Sequence, residues 1–162
     1  MYKQQLHLYL CKMGTIEEAI KQSKFNNEYE KAVVNILFTA SWLDGQHIHN
    51  LKPFGISPQQ FNVLRILRGS VPNALRLADI TERMIDKNSN ATRLVEKLRQ
   101  KNLVKREVCK NNRRQVDIWI TQKGLDLLAE LDKLSEQWRE ALNNISKEEA
   151  QHLNTCLDKI RG

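Results

Sequence analysis

The sequence is poor in the residues from which a chemical site is ordinarily built. Its three cysteines, Cys11, Cys109 and Cys156, lie far apart and form no C-x-x-C pair, which argues against both a disulfide framework and a zinc knuckle. Reduced thiols are expected. His47 and His49 are two positions apart and would fall on different sides of a helix, so they lack the spacing of a metal site. There is no Gly-rich phosphate loop and no recognisable set of nucleophile, base and orienting group. The expectation is a protein without metal, cofactor or catalytic activity. No uncharged apolar run approaches the ~20 residues of a membrane span. The first residues, MYKQQLHLYLCK, also lack the long apolar stretch and small-residue cleavage site of a signal peptide. A cytoplasmic chain with no membrane partner is expected.

What the chain does have is positive charge in one place. Its 162 residues suit one ordinary domain with a hydrophobic core, and its net charge is +7. From Arg83 to Arg114, eleven Lys and Arg stand against three acids, Asp86, Glu96 and Glu107, a surplus of +8. The remainder holds 15 basic and 16 acidic residues. Charge spread evenly gives solubility, whereas charge gathered in one segment points to a partner.

Apolar periodicity places helices on both sides of that segment. Thr15 and Glu18 form a capping-box pattern ahead of Ile16, Ala19 and Ile20. Tyr29, Val33, Ile36, Ala40 and Leu43 recur at helical spacing until LKPFG breaks the pattern. Ser57 as N-cap, Pro58 at the first helical position and Gln60 at the capping-box site precede Phe61, Leu64 and Leu67. Leu77, Ile80 and Met84 mark about two helical turns, and Ala91, Leu94, Val95 and Leu98 mark a basic helix closed by Asn102. Two runs then alternate apolar and polar residues, Val104 to Val108 and Val116 to Ile120, and predict a hairpin with the seven-residue loop CKNNRRQ at its tip. Thr121 can cap a last long helix with a coiled-coil-like seam of Leu127, Leu131, Leu134, Trp138 and Leu142. Ser146 and Glu149 box the start of a final helix striped by Leu153, Leu157 and Ile160.

Two helices joined by a turn, the second basic and followed by a β-ribbon, suit a reader of duplex DNA. In a helix-turn-helix the second helix enters the major groove and its N-terminal residues reach base edges. Here those residues are Asn88, Ser89, Asn90, Thr92 and Arg93, with Lys97 and Gln100 on or near the face opposite the apolar stripe. A ribbon beside that helix can set its tip against the neighbouring minor groove, whose negative potential attracts arginine. Arg113 and Arg114 are the candidates, with Lys110 on flanking phosphate. The seam of Leu127, Leu131, Leu134 and Trp138 belongs either to the intrachain core or to a dimer. A helix that long, with Leu128, Ala141 and Ile145 adding apolar area, is hard to cover without a partner.

The residues LADITERM followed by NSNATRLVEKLRQKNLVKR, and then NNRRQVDIWITQKG, resemble the helix-turn-helix and wing of the MarR family of bacterial regulators. The specific likeness covers about residues 57–124. It implies a mainly α fold with a small β-hairpin wing, a winged helix-turn-helix with N- and C-terminal dimerisation helices. It predicts one domain over 1–162, with the winged lobe at about 53–120 and the dimerisation helices at about 1–50 and 121–162. The family implies a homodimer on a pseudo-palindromic operator, often a repressor released by a small ligand or an oxidant. Dimerisation would then involve Leu127, Leu131, Leu134, Trp138, Leu153 and Leu157. Trp42, Trp119 and Trp138 could line a pocket for a small aromatic effector, or serve as packing. Asn112 stands where the family commonly has Asp, and Asn102 where it usually has Gly.

Two other readings stand beside this one. The basic face could dock an acidic protein partner, which would show no preference for duplex sequence. Cys109 has cations near it that would lower a thiol's pKa and favour redox sensing, or it is an incidental thiol at a strand end.

Overall fold

The computed structural model describes residues 14–109, 112–138 and 144–162. Helix α1 (Ile16–Ile20) begins at the expected capping box: the Thr15 hydroxyl accepts from Glu18 N, and Glu18 Oε2 accepts from Thr15 N at 3.1 Å. The long helix α2 (Glu28–Leu51) starts where Asn27 Oδ1 accepts from Glu30 N at 2.9 Å. A Glu17–Lys31 ion pair at 2.7 Å ties α1 to α2, and the ammonium holds the Glu17 carboxyl below its ordinary range. A 3-10 turn, Lys52–Phe54, closes on Gly55 at φ 65°, a left-handed conformation that glycine enters without a Cβ clash. The chain then reverses into α3 (Pro58–Arg68) through the Ser57 and Gln60 box, with hydrogen bonds of 3.0 and 3.2 Å.

The central segment continues through a strand β1 (Leu75–Arg76), helix α4 (Leu77–Arg83) and helix α5 (Ala91–Gln100). Asn102, at φ 59°, ends α5 in the left-handed region as read from the sequence. Strands β2 (Val104–Cys109) and β3 (Asn112–Ile120) pair antiparallel, and β1 pairs on the other side of β3, giving the order β1-β3-β2. The sheet therefore has three strands where two were expected. β1 is two residues long and too short to show a period of two, and it exists because Leu75 and Arg76 register against Ile118 and Asp117.

The seven-residue loop is a second correction. The strands run to Cys109 and start again at Asn112, and the register passes from Val108 opposite Val116 to Cys109 opposite Asn112. Residues 113–115 thus sit at a bulge in β3 rather than in a loop. A bulge absorbs extra residues on one strand and re-aims them, which breaks the alternation that sequence reading relies on.

Helix α3 packs against α2, α4, α5 and β3 and carries the centre of the core. Val63, Leu64, Ile80, Leu98 and Ile118 are almost wholly removed from water, each contributing about 1.5–3 kcal/mol of transfer free energy. Helix α6 (Gln122–Trp138) follows β3 at close range. The Thr121 hydroxyl donates to Asn102 O at 2.7 Å and accepts from Gly124 N at 3.1 Å. A Cβ on Gly124 would lie 2.4 Å from the Leu103 carbonyl oxygen, so only glycine lets the first turn of α6 approach that strand.

The chain divides into two compact units, with the boundary between Leu128 and Ala129. The first includes α2 together with the winged lobe. There α2 leaves Tyr29, Val33, Leu37 and Ile48 largely exposed. In the second, helix α7 (Lys147–Arg161) starts at the Ser146 and Glu149 box, Leu157 is half-buried, and Leu153 and Ile160 are exposed. On α6, Leu127 is half-buried, while Leu128 and Leu131 are covered within the single chain. The side chains of Leu134 and Trp138 lie outside the described residues, as does Leu142. No helix among the described residues is long and apolar enough to cross a membrane.

Candidate nucleic-acid interface

Helix α5 buries one side and keeps its cations on the other. Ala91, Val95 and Leu98 are buried against the core, Leu94 is half-buried, and Thr92, Arg93, Lys97 and Gln100 are exposed. The start of the helix is held by local hydrogen bonds that also decide what its polar residues can do. Asn90 Oδ1 accepts from Arg93 N at 3.0 Å, so its carbonyl oxygen serves as the N-cap. The Asp86 carboxylate accepts from Asn88 N at 3.0 Å and from the Ser89 hydroxyl at 2.7 Å, forming the Asx turn that leads into the cap. Of the six expected recognition-helix residues, Ser89 and Asn90 are thus engaged in shaping the turn. Asn88, Thr92, Arg93 and Lys97 present exposed side chains.

The turn is anchored from a distance as well. Ile85 N donates to Asn62 Oδ1 on α3 at 3.0 Å, while Met84 is buried beside it. This contact spans 23 residues in sequence, and no local pattern marks Asn62 as its partner.

The surplus of positive charge is divided between internal bonds and the surface. Arg99 pairs with Glu96 through two bonds of 3.0 and 2.8 Å, and this guanidinium, with Arg106 further off, holds the Glu96 carboxyl below its ordinary range. Lys105 lies 3.4 Å from Glu107 and 4.7 Å from the centre of the Trp119 ring directly across the ladder. Arg83 donates to the Ser70 hydroxyl at 3.0 Å, Lys87 to the Glu82 carbonyl and Lys101 to the Gly55 carbonyl. Among the described residues, Arg93 and Lys97 have no acidic partner. Their charge is available to an anion outside the chain.

Arg113 and Arg114 lie on the bulged stretch of β3. Their side chains, together with Lys110 and the Cys109 thiol, fall outside the described residues. Trp119 is covered by Lys105, Trp42 is half-buried, and neither lines the cavity beside α5 or the one between α2 and α3. No three metal-ligating side chains come together among the described residues.

The MarR family profile matches residues 56–116, from the start of α3 into β3. The HTH-type transcriptional regulator MhqR of Bacillus subtilis (strain 168) is 30% identical over 119 residues, covering 71% of this chain and 77% of that protein. The HTH-type transcriptional regulator PecS of Dickeya dadantii (strain 3937) is 28% identical over 109 residues, and the match spans 66% of each, just under two thirds of PecS. A crystal structure of a MarR mutant from E. coli complexed with operator DNA superposes with a TM-score of 0.71 at 22% identity, over 85% of this chain and 99% of that one. Sequence identity sustained over three quarters of MhqR goes beyond a shared fold, and the chain belongs to the MarR family of winged-helix, DNA-binding transcriptional regulators.

Proposed function

We propose that the protein is a ligand- or stress-responsive repressor acting in the cytoplasm as a homodimer on a pseudo-palindromic operator. The observation that carries this reading is the pair of exposed cations, Arg93 and Lys97, left without an acidic partner on the outer side of α5. Arg93 reads base edges near the helix N-terminus with Asn88 and Thr92, and Lys97 sits on phosphate or a purine edge. Arg113 and Arg114 follow the adjoining minor groove, with Lys110 on flanking phosphate. The second copy is supported by apolar side chains that a single chain leaves in water, Tyr29, Val33 and Leu37 on α2 and Leu153 and Ile160 on α7. Leu157, half-buried, extends the α7 face, and Leu127 on α6 is half-buried as well, whereas Leu131 is already covered. Two copies of α5 about 34 Å apart enter successive major grooves, and a small aromatic effector that changes the spacing releases the complex.

Selection of bound fragments from a random duplex library tests the proposal. A two-fold-related motif with half-sites one turn apart is expected, and a set without sequence preference would overturn it in favour of an acidic protein partner. On the selected duplex, Arg93→Ala should lose about 1–3 kcal/mol of binding. Arg114→Ala should also weaken binding, and unaltered affinity there would remove the wing from the interface.

A further inference from the structure

A cavity of about 740 Å³ opens beside α5, between the C-terminal half of that helix and the turn that leads into α3. Three lysines line it, Lys52, Lys97 and Lys101, and no aspartate or glutamate does. The Lys101 ammonium donates to the Gly55 carbonyl, which fixes it at the rim and leaves two of its three N–H donors unused. Gln60 also lines the cavity and is 5% exposed. Its Oε1 accepts from Ser57 N at 3.0 Å. Three ammonium groups around one concavity repel each other. Ile56 and Leu94 supply an apolar wall. Convergent donors on an apolar surface of this volume are the ordinary makings of a small-molecule site.

The position of Lys97 links the cavity to the DNA face. At about 100° per residue, Lys97 lies about 40° from Arg93 around the helix and about 40° from Lys101 on the other side. One charge therefore stands at the boundary between the two surfaces.

We infer that this cavity binds a small organic anion carrying two or more negative charges, a phosphate ester or a di- or tricarboxylate, and that occupancy withdraws Lys97 from DNA. The charge count favours this class: a single negative charge would leave the lysine cluster mostly unneutralised. The binding half stands on the cavity alone, and the regulatory half rests on the DNA reading above.

Calorimetric titration of the DNA-free full chain with citrate and with inorganic pyrophosphate, at constant ionic strength, tests the site. Saturable binding of at least one is expected, with benzoate binding at least about tenfold more weakly. Lys52→Gln and Lys101→Gln should each weaken the multivalent anion by about tenfold or more. Lys52 is exposed, so its variant keeps the fold even where Lys101→Gln does not. On a selected duplex, citrate should weaken DNA binding of the parent and leave that of Lys52→Gln unaltered. Absence of saturable heat, or anion binding by both variants as tight as that of the parent, would overturn the site. Loss of duplex affinity in anion-free Lys52→Gln would overturn it too, by assigning these lysines to DNA phosphate. A library selection that returned no motif would remove the DNA reading while the titration still decided the cavity.

Discussion

Helices α2 and α5 carry the same apolar period and meet opposite fates. Over ten residues, α5 buries Ala91, Val95 and Leu98 to 5% exposure or less and turns Arg93 and Lys97 outward. Over twenty-four residues, α2 buries Leu51 at its end and leaves Tyr29 at 86%, Val33 at 57% and Leu37 at 65% exposure. Periodicity states that a helix has a face to cover and says nothing of what covers it. The apolar side of α5 is satisfied by its own chain, so its polar side is the informative one. On α2 the apolar side itself is the open question.

The largest effect that would break this contrast is on assembly. Val33→Asp combined with Leu37→Asp should reduce the light-scattering mass from two chains to one with the helix content retained. A parent mass of one chain would instead show that the α2 face has another purpose. Next comes the core side of α5, where Leu98→Ala should lower unfolding free energy by about 2–5 kcal/mol in urea titration, because the cavity left behind cannot collapse. Loss of less than ~1 kcal/mol would mean that α5 is not locked to α3 as its burial implies.

Smaller effects sharpen the comparison at the helix starts. Asn90→Ala should lower stability by about 0.5–2 kcal/mol and weaken duplex binding through fraying of the recognition helix. Asn27→Ala removes the equivalent cap of α2 and should leave duplex affinity unchanged. The smallest effect is electrostatic. Arg99 lowers the Glu96 pKa in the folded chain, so this pair stabilises fully above the ordinary glutamate value and loses its contribution as pH falls through the lowered one. Glu96→Gln should therefore shift the urea midpoint slightly at pH 7, and the shift should shrink as pH falls below the ordinary glutamate range. A shift that persisted in acid would assign it to packing.

Legibility followed sequence distance. The boxes at Thr15, Ser57 and Ser146, the left-handed Asn102 and the periods of α2, α3 and α5 are all set within four residues, and each formed where it was read. The partner of Glu96 is three residues away and could have been read as well. By contrast, β1 depends on a register with residues 117 and 118, the turn before α5 on Asn62, and the Lys101 anchor on a carbonyl 46 residues away. None of these leaves a local trace. The loop at 109–115 misled because a bulge imitates a loop in the alternation pattern.

By itself the sequence determined the element types, the caps and the confinement of surplus charge to one segment, because short-range sterics and hydrogen bonds act wherever those residues occur. Only the tertiary structure decided which cations remain available. It held Arg83 on Ser70 and Lys105 on Glu107 and Trp119 and left Arg93 and Lys97 outward without an acid, since availability depends on what folding brings within a few ångströms.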